Sequence, residues 1–99
     1  MKNICILGAT GSIGIQTLDV IRKEKHKFKL IGVTANSNFE KLIAIIEEFK
    51  PRMAAVVEKE AYLIVRDYCK ANSIKTEVVY GMDGLSAIST MEEAHIIVT

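Results

Sequence analysis

The sequence contains no tryptophan, one proline and only two cysteines among 99 residues. With a single proline and no low-complexity tract, nothing marks a linker, so we expect one domain. Cys5 and Cys69 are far apart in the chain, and two isolated cysteines of this kind are more often buried thiols than a disulfide or a metal pair. The cysteine content therefore argues against a disulfide scaffold and against a cysteine-based metal site.

The sequence also lacks an excess of one charge and a long hydrophobic run. It has 13 basic and 12 acidic residues, a net charge of +1, and no run of like charge that would suggest nucleic-acid or membrane-surface binding. No apolar run approaches the roughly 20 residues that span a bilayer. The first predicted strand begins by Asn3, which leaves no room for a signal or transit peptide. We therefore expect a cytoplasmic protein that binds neither nucleic acid nor membrane.

Apolar runs alternate with segments of helical period along the whole chain. This pattern is typical of a parallel sheet with helices on both faces, so we predict an α/β, Rossmann-like doubly wound fold over residues 1–99. The third helix is expected to bury Ala61, Ile64, Val65 and Tyr68. The predicted strands span 3–7, 28–34, 53–57, 76–80 and 94–98, and the predicted helices span 12–23, 39–49, 58–71 and 82–91.

The last predicted strand is expected to be buried. A buried parallel strand normally continues into a loop that carries ligand contacts. We therefore expect either that the chain is the N-terminal portion of a longer protein, truncated at its C-terminal end, or that the strand ends at an open edge with part of one sheet face uncovered.

The segment Gly8-Ala9-Thr10-Gly11-Ser12-Ile13-Gly14 follows the first predicted strand and opens the first predicted helix. Gly8 allows a tight turn, Gly11 lets the backbone approach a pyrophosphate, and Gly14 lets the helix pack closely. The helix N-terminus supplies free N–H groups and the positive end of the dipole to an anion. The segment predicts dinucleotide binding. The alternative is a glycine-rich turn that serves packing alone.

At the end of the second predicted strand, where an NAD-selective fold usually places an acidic residue, the sequence reads Thr34-Ala35-Asn36-Ser37-Asn38. No carboxylate is present, and Ser37, Asn38 and the following helix N-terminus can donate hydrogen bonds to a 2′-phosphate. NADP(H) is therefore favoured over NAD(H). No arginine or lysine stands in the segment itself, and Lys41 lies one helical turn further on. The alternative is an ordinary turn in which Asn38 caps the helix.

No catalytic or metal-binding constellation is present. His26 lies in a lysine-rich loop and His95 near the last predicted strand, and without paired carboxylates or cysteines each is more often a surface or packed histidine than a ligand. The two glutamates of each adjacent pair, Glu47-Glu48 and Glu92-Glu93, point in different directions on a helix. They therefore fit solvated faces and not a metal-binding pair. The tyrosines show no YxxxK spacing, which weakens a short-chain dehydrogenase interpretation.

The run from Leu7 to Gly14, continued by Gln16-Thr17-Leu18-Asp19-Val20-Ile21, resembles the opening of the 1-deoxy-D-xylulose 5-phosphate reductoisomerase family. The resemblance continues through Phe49-Lys50-Pro51-Arg52, Thr76-Glu77-Val78 and Gly81, and covers essentially the whole chain. It implies an enzyme of non-mevalonate isoprenoid biosynthesis. That enzyme rearranges and reduces 1-deoxy-D-xylulose 5-phosphate to 2-C-methyl-D-erythritol 4-phosphate, using NADPH and Mg²⁺ or Mn²⁺.

The resemblance also implies where this chain would act. It corresponds to the NADPH-binding part, whereas the metal ligands and the site for the phosphorylated sugar substrate lie in parts of the family beyond Thr99. It implies a homodimer when full length, and we expect the 99-residue chain alone to be inactive. The residues matching the cofactor-phosphate site and its adjoining portion are Thr10, Gly11, Ser12 and Ile13, and those around the adenosine ribose and its 2′-phosphate are Asn36, Ser37 and Asn38. A common family form has glycine and a basic residue before that last asparagine, and this chain departs from it.

Two other functions fit the residues taken alone. One is another NADP-dependent reductase with a GxTGxxG loop, such as a semialdehyde dehydrogenase, which a catalytic cysteine or YxxxK in a continuation would identify. The other is a non-catalytic nucleotide-binding module whose binding shifts a partner equilibrium.

Overall fold

The computed structural model describes residues 1–99 and contains five strands and four helices in alternation. The strands are β1 (Lys2–Ile6), β2 (Phe28–Ala35), β3 (Met53–Val56), β4 (Glu77–Tyr80) and β5 (Ile96–Val98), and the helices are α1 (Ser12–Lys23), α2 (Phe39–Phe49), α3 (Lys59–Ala71) and α4 (Gly81–Ser89). All strands are parallel in one sheet of order β4-β3-β2-β1-β5. The predicted α/β, Rossmann-like sheet is confirmed. No helix has the length and apolar character needed to cross a membrane.

Three helices cover one face of the sheet. Ile4 and Ile6 of β1 point to this face and join a core that includes Leu18 of α1, Ile46 of α2 and Val65 of α3. Side chains of a strand alternate between faces, and each helix presents an apolar stripe at a spacing of three to four residues. This larger layer therefore holds both α1 and α2 against β2.

The opposite face is covered by α4 alone. Cys5, Ile31, Ala55 and Ile88 form a smaller buried cluster there. Cys5 lies between Ile4 and Ile6 in sequence and therefore points to the other side of β1. The prediction of helices on both faces is confirmed, with three on one face and one on the other.

A bulge in β2 changes which face its side chains occupy. Consecutive residues of β1 pair with Leu30 and Gly32, so Ile31 has no partner in the register. Because side chains alternate with a period of two, one extra residue moves the rest of the strand to the other face. Leu30 and Val33 thus share the larger layer although their spacing is odd.

The ends of several elements differ from the predicted ones by one or two residues. β3 ends before Val57, and β4 begins after Thr76, whose buried hydroxyl donates to the Pro51 carbonyl at 2.6 Å. α4 spans Gly81–Ser89 and not 82–91, because Thr90 follows it with a non-helical backbone and its hydroxyl donates to the Ser86 carbonyl at 2.6 Å. Side-chain bonds of this kind satisfy backbone groups where a regular element stops.

The burial predicted for α3 is wrong at two positions. Ile64 is 42% exposed and Tyr68 is only half-buried, whereas Ala61, Val65 and Cys69 are buried. These three buried residues are spaced four apart and form one stripe along the helix. Ile64 lies beside this stripe and outside it.

The last strand is not buried as predicted. Ile96 and Ile97 are 39% and 43% exposed, because β5 is an edge strand that pairs with β1 alone. The strand also begins at Ile96 and not at residue 94. Within residues 1–99, β5 has a strand on one side only.

Both cysteines are free thiols in the core, with Cys5 0% and Cys69 3% exposed. Burial raises the pKa of each thiol, and the nearby carboxylates of Glu93 and Glu47 raise the pKa of Cys5 and Cys69 further. Because the thiolate is the reactive form, we expect neither cysteine to react with iodoacetamide in the folded protein at neutral pH and both to react in urea. Mass spectrometry counts the added groups. Rapid labelling of either cysteine without urea would contradict its burial.

Candidate dinucleotide-binding site

The turn between β1 and α1 requires glycine at two of its three glycine positions. Gly8 has a φ of +76°, a left-handed conformation that favours glycine. A Cβ atom on Gly14 would lie 2.6 Å from the Gly8 carbonyl oxygen and 2.7 Å from the Ala9 Cα. No side chain fits there, and α1 packs directly on the turn.

Gly11 differs from the other two glycines of the turn, Gly8 and Gly14. Its backbone is extended, with φ −83° and ψ 177°, and a Cβ atom would meet only the Gly8 carbonyl oxygen, at 3.5 Å. That distance is an ordinary van der Waals contact, and any residue adopts this conformation. Packing within the chain therefore does not require glycine at position 11, whereas close approach of a ligand to the backbone would.

Thr34 ties the turn to the end of β2. Its hydroxyl accepts the Gly8 N–H at 2.8 Å, and its carbonyl accepts the Ala9 N–H at 2.8 Å. Thr34 is 3% exposed, so these bonds are shielded from water. The pair of bonds holds the glycine turn and the following loop at a fixed separation.

We expect Thr34→Val to lower the free energy of unfolding by about 1–2 kcal/mol, because valine keeps the shape but leaves the Gly8 N–H without a partner. Thr34→Ser retains the hydroxyl and serves as the matched control, with a smaller loss. Urea unfolding measures both. Equal unfolding free energies for Thr34→Val and the wild type would contradict the proposed anchoring.

A cleft of about 370 Å³ lies where β1 and β2 end. Since β1 stands between β2 and β5, the order of the strands reverses here, and parallel sheets bind ligands at this position. The volume falls at the lower end of small-molecule sites, about 300–1,000 Å³. The cleft brings together the predicted residues Thr10, Gly11, Asn36, Ser37 and Asn38, and its lining is completed by Leu7, Gly8, Thr34, Ala35 and Leu85.

Ser12 and Ile13, the other two predicted residues, are exposed in the first turn of α1 and outside the lining of the cleft. Sequence reasoning did not select Thr34 as a site residue, although it directly precedes the predicted loop. Leu85 could not be found from local sequence, because α4 crosses from the far edge of the sheet to reach the cleft.

The N-terminus of α1 has no internal cap. Gly11 provides no side-chain hydrogen bond, and the first turn contains no acidic residue. The first N–H groups of a helix have no partner within the helix, and the dipole is positive at this end. α1 therefore presents donors to an anion at the glycine turn.

The N-terminus of α2 is capped instead. The Asn38 Oδ1 accepts the Lys41 N–H at 3.2 Å, as predicted for a helix cap. The Asn36 carbonyl accepts the Glu58 N–H at 2.9 Å, which ties the loop to the start of α3. The loop is thus held by its backbone, and the exposed side chains of Asn36 and Ser37 form no hydrogen bond within the chain.

Neither histidine belongs to a second candidate catalytic or metal site. The His95 Nδ1 accepts the Asn3 N–H at 2.9 Å, and no group of three or more His, Cys, Asp or Glu residues is placed to hold a metal. A larger cavity of about 530 Å³ lies at the other end of the strands, near the amino ends of β2, β3 and β4. Two of its lysines, Lys50 and Lys75, follow the C-terminal ends of α2 and α3, where cations complement the helix dipole.

Comparison with known proteins identifies the family. A model of the 1-deoxy-D-xylulose 5-phosphate reductoisomerase family matches residues 4–99. The chain is 60% identical over 99 residues to 1-deoxy-D-xylulose 5-phosphate reductoisomerase of Clostridium novyi (strain NT), and 57% identical to that of Clostridium botulinum (strain Okra / Type B1). Each alignment covers all of this chain and 26% of the length of the relative. The chain therefore spans about a quarter of the length of these relatives.

Solved structures agree with this result. A crystal structure of DOX-P reductoisomerase in complex with NADPH, fosmidomycin and magnesium matches with a TM-score of 0.92 and 29% identity, over 98% of this chain and 24% of that one. The 1-deoxy-D-xylulose 5-phosphate reductoisomerase from Zymomonas mobilis in complex with NADPH matches with a TM-score of 0.85 and 27% identity, over 93% and 24%. The resemblance first noted in the glycine segment thus extends over the fold, and the chain belongs to the 1-deoxy-D-xylulose 5-phosphate reductoisomerase family.

Proposed function

We propose that residues 1–99 are the NADPH-binding domain and the N-terminal portion of a longer reductoisomerase. The whole enzyme rearranges and reduces 1-deoxy-D-xylulose 5-phosphate to 2-C-methyl-D-erythritol 4-phosphate. Family membership and the 26% coverage of the relatives support this assignment. The observation that carries the cofactor assignment is Gly11, which lines the cleft beside an uncapped helix although packing does not require glycine there.

The cofactor phosphates are assigned to residues Thr10, Gly11, Ser12 and Ile13. The first-turn N–H groups of α1 donate to the pyrophosphate, and the helix dipole adds to the attraction. The absence of a side chain on Gly11 lets the phosphate reach the backbone. Ser12 and Ile13 contribute through their N–H groups, which explains why their side chains need not line the cleft.

The adenosine ribose and its 2′-phosphate are assigned to Asn36, Ser37 and Asn38. No carboxylate repels a phosphate there, and the free side chains of Asn36 and Ser37 can donate hydrogen bonds to it. Thr34 positions this loop against the glycine turn through its bonds to Gly8 and Ala9. When bound, NADPH supplies the hydride for the reduction.

The remaining parts of the reaction are assigned outside this chain. The DOX-P reductoisomerase structure holds magnesium and fosmidomycin as well as NADPH, and this chain offers no cluster that would bind a metal. We therefore place the Mg²⁺ or Mn²⁺ ligands, the phosphorylated sugar site and the homodimer contacts in the rest of a cytoplasmic enzyme. The purified 99-residue chain is expected to show no NADPH-dependent turnover of 1-deoxy-D-xylulose 5-phosphate. Measurable NADPH consumption would contradict that expectation.

Amide NMR on the ¹⁵N-labelled chain tests where the cofactor binds. Titration with NADPH is expected to shift the resonances of residues 10–13 and 36–38. The amide resonances of Lys50 and Lys75, at the other end of the strands, are the internal control and should not shift. Shifts confined to that end of the sheet, or no shifts at all in a folded chain, would contradict the proposed site.

A further inference from the structure

The proposed cofactor cleft contains no charged side chain. Its lining consists of aliphatic residues, glycine, threonine, serine and asparagine. A 2′-phosphate carries roughly −1.5 to −2 charges at neutral pH, as phosphate monoesters do. Neutral donors alone distinguish it weakly from the 2′-hydroxyl of NADH, so preference for NADPH calls for a cation next to the cleft.

A second groove, of about 450 Å³, runs between α1 and α2 and meets the cleft at Thr10, which lines both. Four of the residues that line this groove are charged. They are Asp19, Arg22, Lys41 and Glu48. The groove therefore brings charge next to the neutral cleft.

Three of these four groups are already paired. The Arg22 Nη2 donates to the Glu48 Oε1 at 2.7 Å, and its Nη1 donates to the Asp19 Oδ1 at 3.3 Å. Asp19 also pairs with Lys23 at 3.0 Å. The hydrogen bond from Arg22 lowers the pKa of Glu48, as expected for a carboxylate held in its charged form. Arg22 is thus committed to carboxylates and is a poor candidate for a phosphate partner.

Lys41 is the cation of the groove that has no carboxylate partner. The backbone N–H of Lys41 donates to the Asn38 Oδ1, so the backbone of Lys41 is fixed to the loop that is assigned to the ribose. The side chain is exposed and carries its ammonium on a flexible four-carbon stem. Glu40, its neighbour, lines neither the groove nor the cleft, and adjacent helical residues do not face each other.

We propose that Lys41 contacts the 2′-phosphate and is the residue of this chain that selects NADPH over NADH. The inference rests on the proposed function of the cleft. It explains how a loop without arginine or lysine can still prefer the phosphorylated cofactor. The contact is partly exposed, so its strength depends on ionic strength.

Affinities of both cofactors for Lys41→Gln test the proposal. Lys41→Gln is expected to raise the Kd for NADPH about tenfold, equivalent to about 1.4 kcal/mol, and to leave the Kd for NADH unchanged. Lys41→Arg keeps the charge and should retain most of the preference. Added salt should weaken NADPH binding more in the wild type than in Lys41→Gln.

Two further lysines serve as controls. Lys70→Gln removes an equal charge from the last turn of α3 and should change neither Kd. Lys59→Gln tests the rival cation, because α3 begins at Lys59 and the preceding Glu58 N–H donates to the Asn36 carbonyl. A loss specific to NADPH in Lys59→Gln, with Lys41→Gln unchanged, would overturn the proposal.

The outcomes separate this proposal from the proposed function. If NADPH binds but Lys41→Gln leaves its Kd unchanged, or weakens NADPH and NADH equally, Lys41 is not the selecting residue and the cofactor site stands. If the folded wild-type chain binds neither cofactor, the proposed function fails and the inference fails with it. Circular dichroism of each variant confirms that it is folded.

Discussion

Gly14→Ala is expected to lower the free energy of unfolding by about 1–2 kcal/mol, because so close a contact falls in the upper part of the about 1–3 kcal/mol that overpacking costs. The added Cβ would lie 2.6–2.7 Å from backbone atoms of Gly8 and Ala9, and backbone cannot rotate away as a flexible side chain could. The better helix propensity of alanine, about 1 kcal/mol, offsets only part of this cost. For a domain of this size the net loss corresponds to a fall in Tm of about 5–15 °C.

Gly11→Ala is the matched control, because it makes the same change in the same turn. Its Cβ would meet the Gly8 carbonyl oxygen at 3.5 Å, an ordinary contact. Alanine at a helix N-cap is less favourable than glycine by only a fraction of the ~1 kcal/mol that a capping side chain contributes. Thermal unfolding followed by circular dichroism measures both variants. Equal Tm values for Gly14→Ala and Gly11→Ala would contradict the close packing of α1 on the turn.

Gly11→Val is expected to leave the chain folded and to raise the Kd for NADPH about 100-fold, or ~2.8 kcal/mol. Position 11 has an extended backbone, which β-branched residues adopt readily. The valine side chain would occupy the space through which a phosphate approaches the first turn of α1. Titration of the variant with NADPH, alongside its unfolding curve, measures both effects.

Tyr80→Val is the control for valine at an N-cap. Tyr80 precedes α4 with an extended backbone, forms no capping bond and lies outside the cleft. It should bind NADPH as the wild type does. If Gly11→Val binds NADPH normally, the glycine turn serves packing alone, which is the alternative that the sequence left open.

The sequence was sufficient to predict the sheet, the glycine turn and the position of the candidate site at the carboxyl ends of the strands. Strand and helix periods are local signals, and in a parallel sheet the strand ends meet at one edge. For that reason the glycine turn and the segment after β2 could be assigned to the same end of the sheet before any coordinates were known, and the family resemblance supplied the individual residues Thr10, Gly11, Asn36, Ser37 and Asn38. The cap formed by Asn38 was likewise readable from its position before an apolar helical stripe.

Other features depend on contacts between distant residues. The bulge at Ile31 is a register shift between β1 and β2, and the run of apolar residues in β2 looks the same with or without it. The exposure of Ile96 follows from the place of β5 at the sheet edge, which its apolar sequence does not reveal. Thr34 was missed for the same reason, because its importance comes from the N–H of Gly8, 26 residues earlier.

The central claim is that this chain binds NADPH at the glycine turn, and direct titration of residues 1–99 with NADPH and NADH tests it most simply. The chain has no tryptophan, so emission from its three tyrosines can be separated from nicotinamide fluorescence. We expect saturable binding of NADPH and weaker binding of NADH. A folded chain that leaves NADPH fluorescence unchanged, with no heat of binding by calorimetry, would contradict the account.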